Sequence, residues 1–136
     1  MPVRATILVV EDDAGVRQLI RARLGAADYS VHVARNGVEA LDAITRFAPD
    51  AMILDINMPE LDGFGVLEAL HERKGGKPAT MILTARHAEE DVRRAMQLGA
   101  KDYLTKPFSE AQLLRRVVRL LRPPYPPASG PNAIVL

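Results

Sequence analysis

Carboxylates, a hydroxyl and an ammonium group stand directly after short apolar runs in this 136-residue sequence. Asp55 ends AMILD (51–55), and Glu11, Asp12 and Asp13 follow ATILVV (5–10). Thr84 closes ATMILT (79–84), and Lys106 follows KDYLT (101–105). A carboxylate at the mouth of a buried run is costly unless something compensates for it. Clustered carboxylates also raise one another's pKa unless a cation sits among them. Hard oxygen donors in this number favour Mg²⁺, which keeps several waters and binds through one or two carboxylates plus phosphate oxygens. Beside such an ion a carboxylate can attack phosphorus and form an aspartyl phosphate. A lysine and a hydroxyl can stabilise the remaining phosphoryl oxygens. On this reading Asp55 is the nucleophile, Glu11 and Asp12 hold the metal, and Lys106 and Thr84 meet the phosphoryl group. Each residue alone has a plain explanation. Asp13 suits a helix N-cap, Thr84 a strand end, Lys106 a solvated surface, and Glu11 with Asp12 a polar strand terminus. The combination carries the argument.

These groups converge only if the runs lie side by side and point the same way. Five runs, the four above and SVHVA (30–34), alternate with segments of helical spacing. Three of them are nearly continuous in apolar residues, as suits strands covered on both faces. The first helical segment places Val16, Leu19, Ile20 and Leu24 on one face. The second starts at Asn36, with Glu39 at the capping-box position, and buries Ala40, Leu41 and Ile44. The third runs from about Asp62 with Phe64, Leu67 and Leu70. The fourth carries Val92, Ala95 and Met96, and Gly99 supplies its stop. The fifth begins at Ser109 with Gln112 three residues on, and carries Leu113, Val117, Leu120 and Leu121. Five strand–helix repeats with short links predict a parallel α/β sheet. Right-handed crossovers make it a three-layer sandwich. Five units are too few for a barrel, so an open doubly wound sheet is expected. In such sheets ligands sit beyond the carboxyl ends of the strands, where the residues named above stand.

The bulk composition narrows the classes. One domain plus a tail fits the length, and 48% hydrophobic residues suffice for a core without staples. There is no cysteine, which excludes disulfides and thiolate chemistry and points towards a reducing cytoplasm. A net charge of +1 gives no general attraction to nucleic acid. No apolar run approaches the ~20 residues of a membrane span, and no secretory leader is visible at the N-terminus. From Arg122, RPPYPPASGPNAIVL holds five of the ten prolines, so residues 123–136 are expected to be a proline-rich linker or disordered tail following a domain over 1–122. His32, His71 and His87 form no metal-ligand spacing.

In order and separation, ILVVEDD, LDINMPELDG, ILTA and GAKDYLTKPF resemble the landmarks of a receiver domain of bacterial two-component response regulators. The resemblance runs from about Thr6 to Leu121. It implies a flavodoxin-like sheet of order 2-1-3-4-5 with five helices. It implies Asp55 as phosphoacceptor, Asp12 as direct Mg²⁺ ligand, Glu11 acting through water, and the backbone carbonyl of Asn57 as a further ligand. Thr84 matches the switch hydroxyl, Lys106 the phosphate-binding lysine, and Tyr103 the aromatic switch that moves as Thr84 moves. A cis bond between Lys106 and Pro107 is implied, aiming the lysine. Arg86 and Asn57 occupy positions that tune loss of the phosphoryl group. The main departure is Glu rather than Asp at position 11.

The implied partner is a sensor histidine kinase or phosphotransfer protein, whose phosphohistidine donates to Asp55. The implied output is a change in the surface of the fourth helix, fifth strand and fifth helix, with a phosphorylation-dependent homodimer as one form it can take. Asp102 and Arg116 resemble residues that pair across such dimers. The domain is then regulatory, not an enzyme, and neither nucleic acid nor membrane is a direct partner. Three rival functions make different demands on these residues. An FMN-binding flavodoxin needs a phosphate loop unlike EDDAG. An aspartyl-phosphate hydrolase needs a second acid where Asn57 stands. A phosphorylation-independent interaction module predicts no response to a phosphodonor.

Overall fold

A computed structural model of the chain describes residues 4–85 and 89–122. Five strands and five helices alternate: β1 (Thr6–Val10), α1 (Ala14–Ala26), β2 (Ser30–Ala34), α2 (Gly37–Phe47), β3 (Ala51–Asp55), α3 (Gly63–Glu72), β4 (Ala79–Thr84), α4 (Glu89–Gln97), β5 (Asp102–Thr105) and α5 (Glu110–Leu121). The strands form one parallel sheet in the order β2-β1-β3-β4-β5. This is the doubly wound sheet of order 2-1-3-4-5 that the resemblance implied.

Strand side chains alternate between two cores, as the pleat requires. Ile7, Val9, Ile53, Met81 and Leu83 face α1 and α5, where Ile20, Leu24, Leu113 and Val117 meet them. Leu8, Val10, Met52, Leu54 and Ile82 face the opposite layer, with Ile44, Phe64, Leu67, Leu70 and Ala95. The central strands β1 and β3 are buried throughout apart from the first residue of β1, whereas edge strand β2 is only half-buried. The chain adds β2 on one side of β1 and then β3 on the other, so the order of strand placement reverses between β1 and β3. Their carboxyl ends form the crevice that such a reversal opens.

Local signals account for the helix boundaries. Asp13, Asn36, Asp62 and Ser109 each accept a backbone N–H bond at the start of α1, α2, α3 and α5. Ser109 and Gln112 satisfy each other reciprocally. At α2 the expected reciprocity is altered. Glu39 donates its backbone N–H to Asn36, but its carboxylate accepts from the backbone N–H of Arg35 at 3.0 Å and from that residue's guanidinium. An arginine next to the cap competes better for a carboxylate than a lone amide does. α4 ends near Gly99, which takes a positive φ of 108°.

Two apolar expectations fail. Leu19 is 47% exposed, because the buried stripe of α1 is centred on Ile20 and Leu24 and leaves Leu19 at its margin beside Lys106, Pro107 and Phe108. Met96 is likewise exposed, and Ala95 alone anchors α4 in the core. The expectations for Arg86, His87 and 123–136 fall outside the described residues.

Candidate functional site

The site forms at the carboxyl ends of β1, β3, β4 and β5. Each sheet ladder runs on just past its strand, which fixes where the functional residues leave it. Glu11 N–H donates to the Ala34 carbonyl at 3.1 Å, Ile56 N–H to Leu83 at 3.2 Å, and Lys106 N–H to Thr84 at 2.8 Å. Glu11 and Asp55 are thereby brought to adjacent strands, and Lys106 is tied to the end of β4.

Oxygens of Glu11, Asp12 and Asp55 lie within 4.8 Å of one another. Glu11 is fully buried, Asp55 is 4% exposed, and Asp12 is open to solvent. Lys106 reaches in from the rim: its Nζ donates to Glu11 Oε1 at 2.9 Å and Oε2 at 3.1 Å, and lies 3.8 Å from Asp55 Oδ2. The lysine therefore bonds the acid of β1 rather than the acid of β3. The peptide bond between Lys106 and Pro107 is cis. Asn57 is exposed, and its backbone N–H donates to Asp55 Oδ1 at 3.1 Å.

Electrostatics single out Asp55. Burial pushes its carboxyl from the usual 3.8 up to about 7, and the charge of Glu11 adds to the rise. Lys106 and the Asn57 N–H pull the other way and do not cancel it. One shared lysine thus does not offset the burial of Asp55 and the charge of Glu11. The donor set fits a hard divalent cation: three carboxylates offering oxygen ligands at close range, one of them open to water. Among the described residues no buried side-chain nitrogen or oxygen lacks a hydrogen-bond partner.

Thr84 is buried at the end of β4, opposite Thr105. Tyr103 stands opposite Ile82, two residues before Thr84. The two-residue period sends Thr84 and Tyr103 to the same face of the sheet, and Tyr103 packs on the core of the α4 side.

Two contributors escape the sequence reading. Gly63 lies under the loop after β3. A Cβ there would sit 2.7 Å from the Asp55 carbonyl and 2.8 Å from Ile56 Cα, and its N–H donates to Ile56 at 3.0 Å. Only glycine lets α3 start this close to Asp55. Its place in LDINMPELDG gives no hint beyond a turn. The other is Arg17, whose side chain turns back onto the acidic turn. Asp102, a candidate for pairing across a dimer, is instead engaged within the chain. It accepts from Arg116 at 2.8 Å and from Arg119 at 2.7 Å, while Arg116 also donates to the Tyr103 carbonyl at 2.9 Å.

This fold and acidic crevice define a class that the comparisons identify. The model of the response regulator receiver domain family matches residues 7–118. The chain is 44% identical over all 136 residues to response regulator MprA of Mycobacterium sp. strain KMS, and spans 57% of that relative's length. Chemotaxis protein CheY4 of Vibrio cholerae superposes with a TM-score of 0.83 at 31% identity, covering 88% of this chain and 100% of that one. A response regulator receiver from Bermanella marisrubri gives 0.81 at 33% identity, covering 88% and 100%. The chain belongs to the response regulator receiver domain family. It is a regulatory domain of two-component signalling, a system in which the general partner is a histidine kinase. Among the described residues no helix is long and apolar enough to cross a membrane.

Proposed function

We propose that this domain accepts a phosphoryl group on Asp55 from the phosphohistidine of a sensor kinase or phosphotransfer protein, with Mg²⁺ as cofactor. The observation that carries this reading is the convergence of Glu11, Asp12, Asp55 and Lys106 at the sheet reversal. Glu11 and Asp12, with Asp55 and the Asn57 backbone carbonyl, are the residues that would hold the ion. When bound, Mg²⁺ supplies charge neutralisation for the carboxylate and the incoming phosphoryl oxygens. An Asp55 oxygen forms the new O–P bond as the donor's P–N bond breaks, and the histidine nitrogen leaves with the electron pair and is then protonated. Lys106 is close enough to Asp55 to move from Glu11 to the new phosphate, and the Thr84 hydroxyl stands at the neighbouring strand end.

The consequence is read on the α4 side. Thr84 drawn to the phosphate vacates space on the face it shares with Tyr103, and Tyr103 follows. That biases the surface of α4, β5 and α5, where an output domain, a partner or a second copy of the chain is controlled. The domain acts in the cytoplasm and makes no direct contact with nucleic acid or membrane.

Incubation of the parent and D55N with Mg²⁺ and acetyl phosphate, followed by intact mass and elution volume, tests the reading. A gain of one phosphoryl group by the parent alone supports it, and a concurrent shift in elution assigns the output to self-association. Equal stoichiometric labelling of D55N defeats the assignment.

A further inference from the structure

Arg17 lies in the first turns of α1, and its backbone N–H donates to the carbonyl of the N-cap Asp13 at 2.9 Å. Helical side chains slant towards the helix N-terminus, so a long side chain here folds back over the preceding turn. Its Nη1 donates to the Glu11 carbonyl at 2.9 Å and reaches the Asp12 carbonyl at 3.4 Å. One half-buried guanidinium thus grips the backbone of both acids that follow β1.

We propose that Arg17 is a positioning residue for the cation site, fixing the direction in which the carboxylates of Glu11 and Asp12 project. The inference rests on the reading of Glu11, Asp12 and Asp55 as the Mg²⁺ site. The need for such a clamp follows from the site itself. The Glu11 carboxylate is held by Lys106, and the Asp55 carboxylate by the Asn57 N–H. Asp12 is exposed, and among the described residues nothing bonds its side chain, so its orientation depends on its main chain. Repulsion from two neighbouring carboxylates drives it outward, and the Asp12 and Glu11 carbonyls are the handles by which α1 resists that.

The charge of Arg17 and its hydrogen bonds act with opposite signs on metal binding. A fixed positive charge near the site disfavours a divalent cation, whereas an outer-shell group that orients ligands favours it. Removal of Arg17 therefore tightens Mg²⁺ binding if charge dominates and weakens it if positioning dominates. The charge of Arg17 is also felt at Glu39 in α2. The carboxyl of Glu39 is held below its usual range, first by hydrogen bonds from Arg35 and in smaller part by the charge of Arg17.

The test is a titration of MgCl₂ into the parent, R17A and R17K at constant ionic strength, followed by backbone amide NMR shifts, with the metal-free Tm of each. The expected result is an R17A dissociation constant raised about 10–100-fold, the range found when an outer-shell partner is removed. R17K recovers part of the loss, since an ammonium can still donate to one carbonyl. An R17A affinity that is unchanged or tighter overturns the proposal, even with a lowered Tm, because the arginine then only supports the helix. Should R17A not fold, the comparison of R17K with the parent decides: weaker binding supports the clamp and equal binding overturns it. A parent that binds no Mg²⁺ is a different failure, visible in its own titration, and removes the metal reading together with this inference.

Discussion

Lys106 is bonded to Glu11, at 2.9 Å, and stands 3.8 Å from the Oδ2 of Asp55. The lysine thus balances the more deeply buried acid and leaves Asp55 short of positive charge. Glu11 has no exposure at all, and Lys106 retains only 22%. Breaking a buried pair on one side strands the other charge. K106A is expected to destabilise the metal-free domain by about 3 kcal/mol, the lower end for such losses. Urea unfolding of the parent and K106A in EDTA measures it; equal midpoints would show that Glu11 does not need the lysine.

The raised carboxyl of Asp55 makes stability depend on pH. Its folded value of about 7 exceeds the usual 3.8, so between these values the folded state binds more protons than the unfolded chain. Stability from this group is fully present below 3.8 and is lost as pH rises through about 7. The metal-free Tm is therefore expected to fall from pH 5 to pH 8 by an amount that D55N does not show. Added Mg²⁺ competes with the proton and stabilises the parent more at pH 8 than at pH 5. Thermal scans of both proteins across this range check the sign, and a parent-minus-D55N difference that grows in the other direction contradicts it.

Gly63 is expected to tolerate no side chain. A Cβ 2.7 Å from the Asp55 carbonyl forces either α3 or the loop after β3 to move. Overpacking of this kind costs about 1–3 kcal/mol, so G63A should lose that much in urea unfolding. Because the displaced atoms carry Asp55, labelling by acetyl phosphate should slow as well. G75A, where a Cβ meets nothing but φ is +104°, is a useful contrast, since backbone strain alone should leave labelling intact.

Asp102 is 13% exposed and takes two arginines from α5. A double-mutant cycle with D102A and R116A should give a coupling energy of about 1–2 kcal/mol, more than an exposed pair shows. Any dimer that uses Asp102 across subunits must first part it from Arg116 and Arg119. A coupling near zero in the unphosphorylated protein would instead leave the aspartate available at no cost.

Much of this was legible from residue order. The apolar runs fixed the strands, and the position of acids, Thr84 and Lys106 directly after them fixed which end of the sheet they share. That inference needs only the parallel direction of the strands. Side-chain choice was not legible. Whether Lys106 bonds Glu11 or Asp55 turns on about an ångström of position, and both acids are equally good partners in a sequence. Leu19 looked buried because helical periodicity gives a stripe but not its width. Glu39 matches the reciprocal-cap spacing, but Arg35, one residue outside that motif, takes its carboxylate. Arg17 carried no pattern at all: its role depends on a helix side chain bending back on a turn, which a spacing rule for side chains on one face does not capture.

The bond between Lys106 and Glu11 spans 95 positions of chain. During synthesis Glu11 leaves the ribosome long before Lys106 exists, so the carboxylate that ends the first central strand has no countercharge while the rest of the sheet is being made. Burying that carboxylate as a charge is costly until β5 brings its lysine. A chain that stops short of β5 has the Glu11 carboxylate without the ammonium group that bonds it in the finished fold.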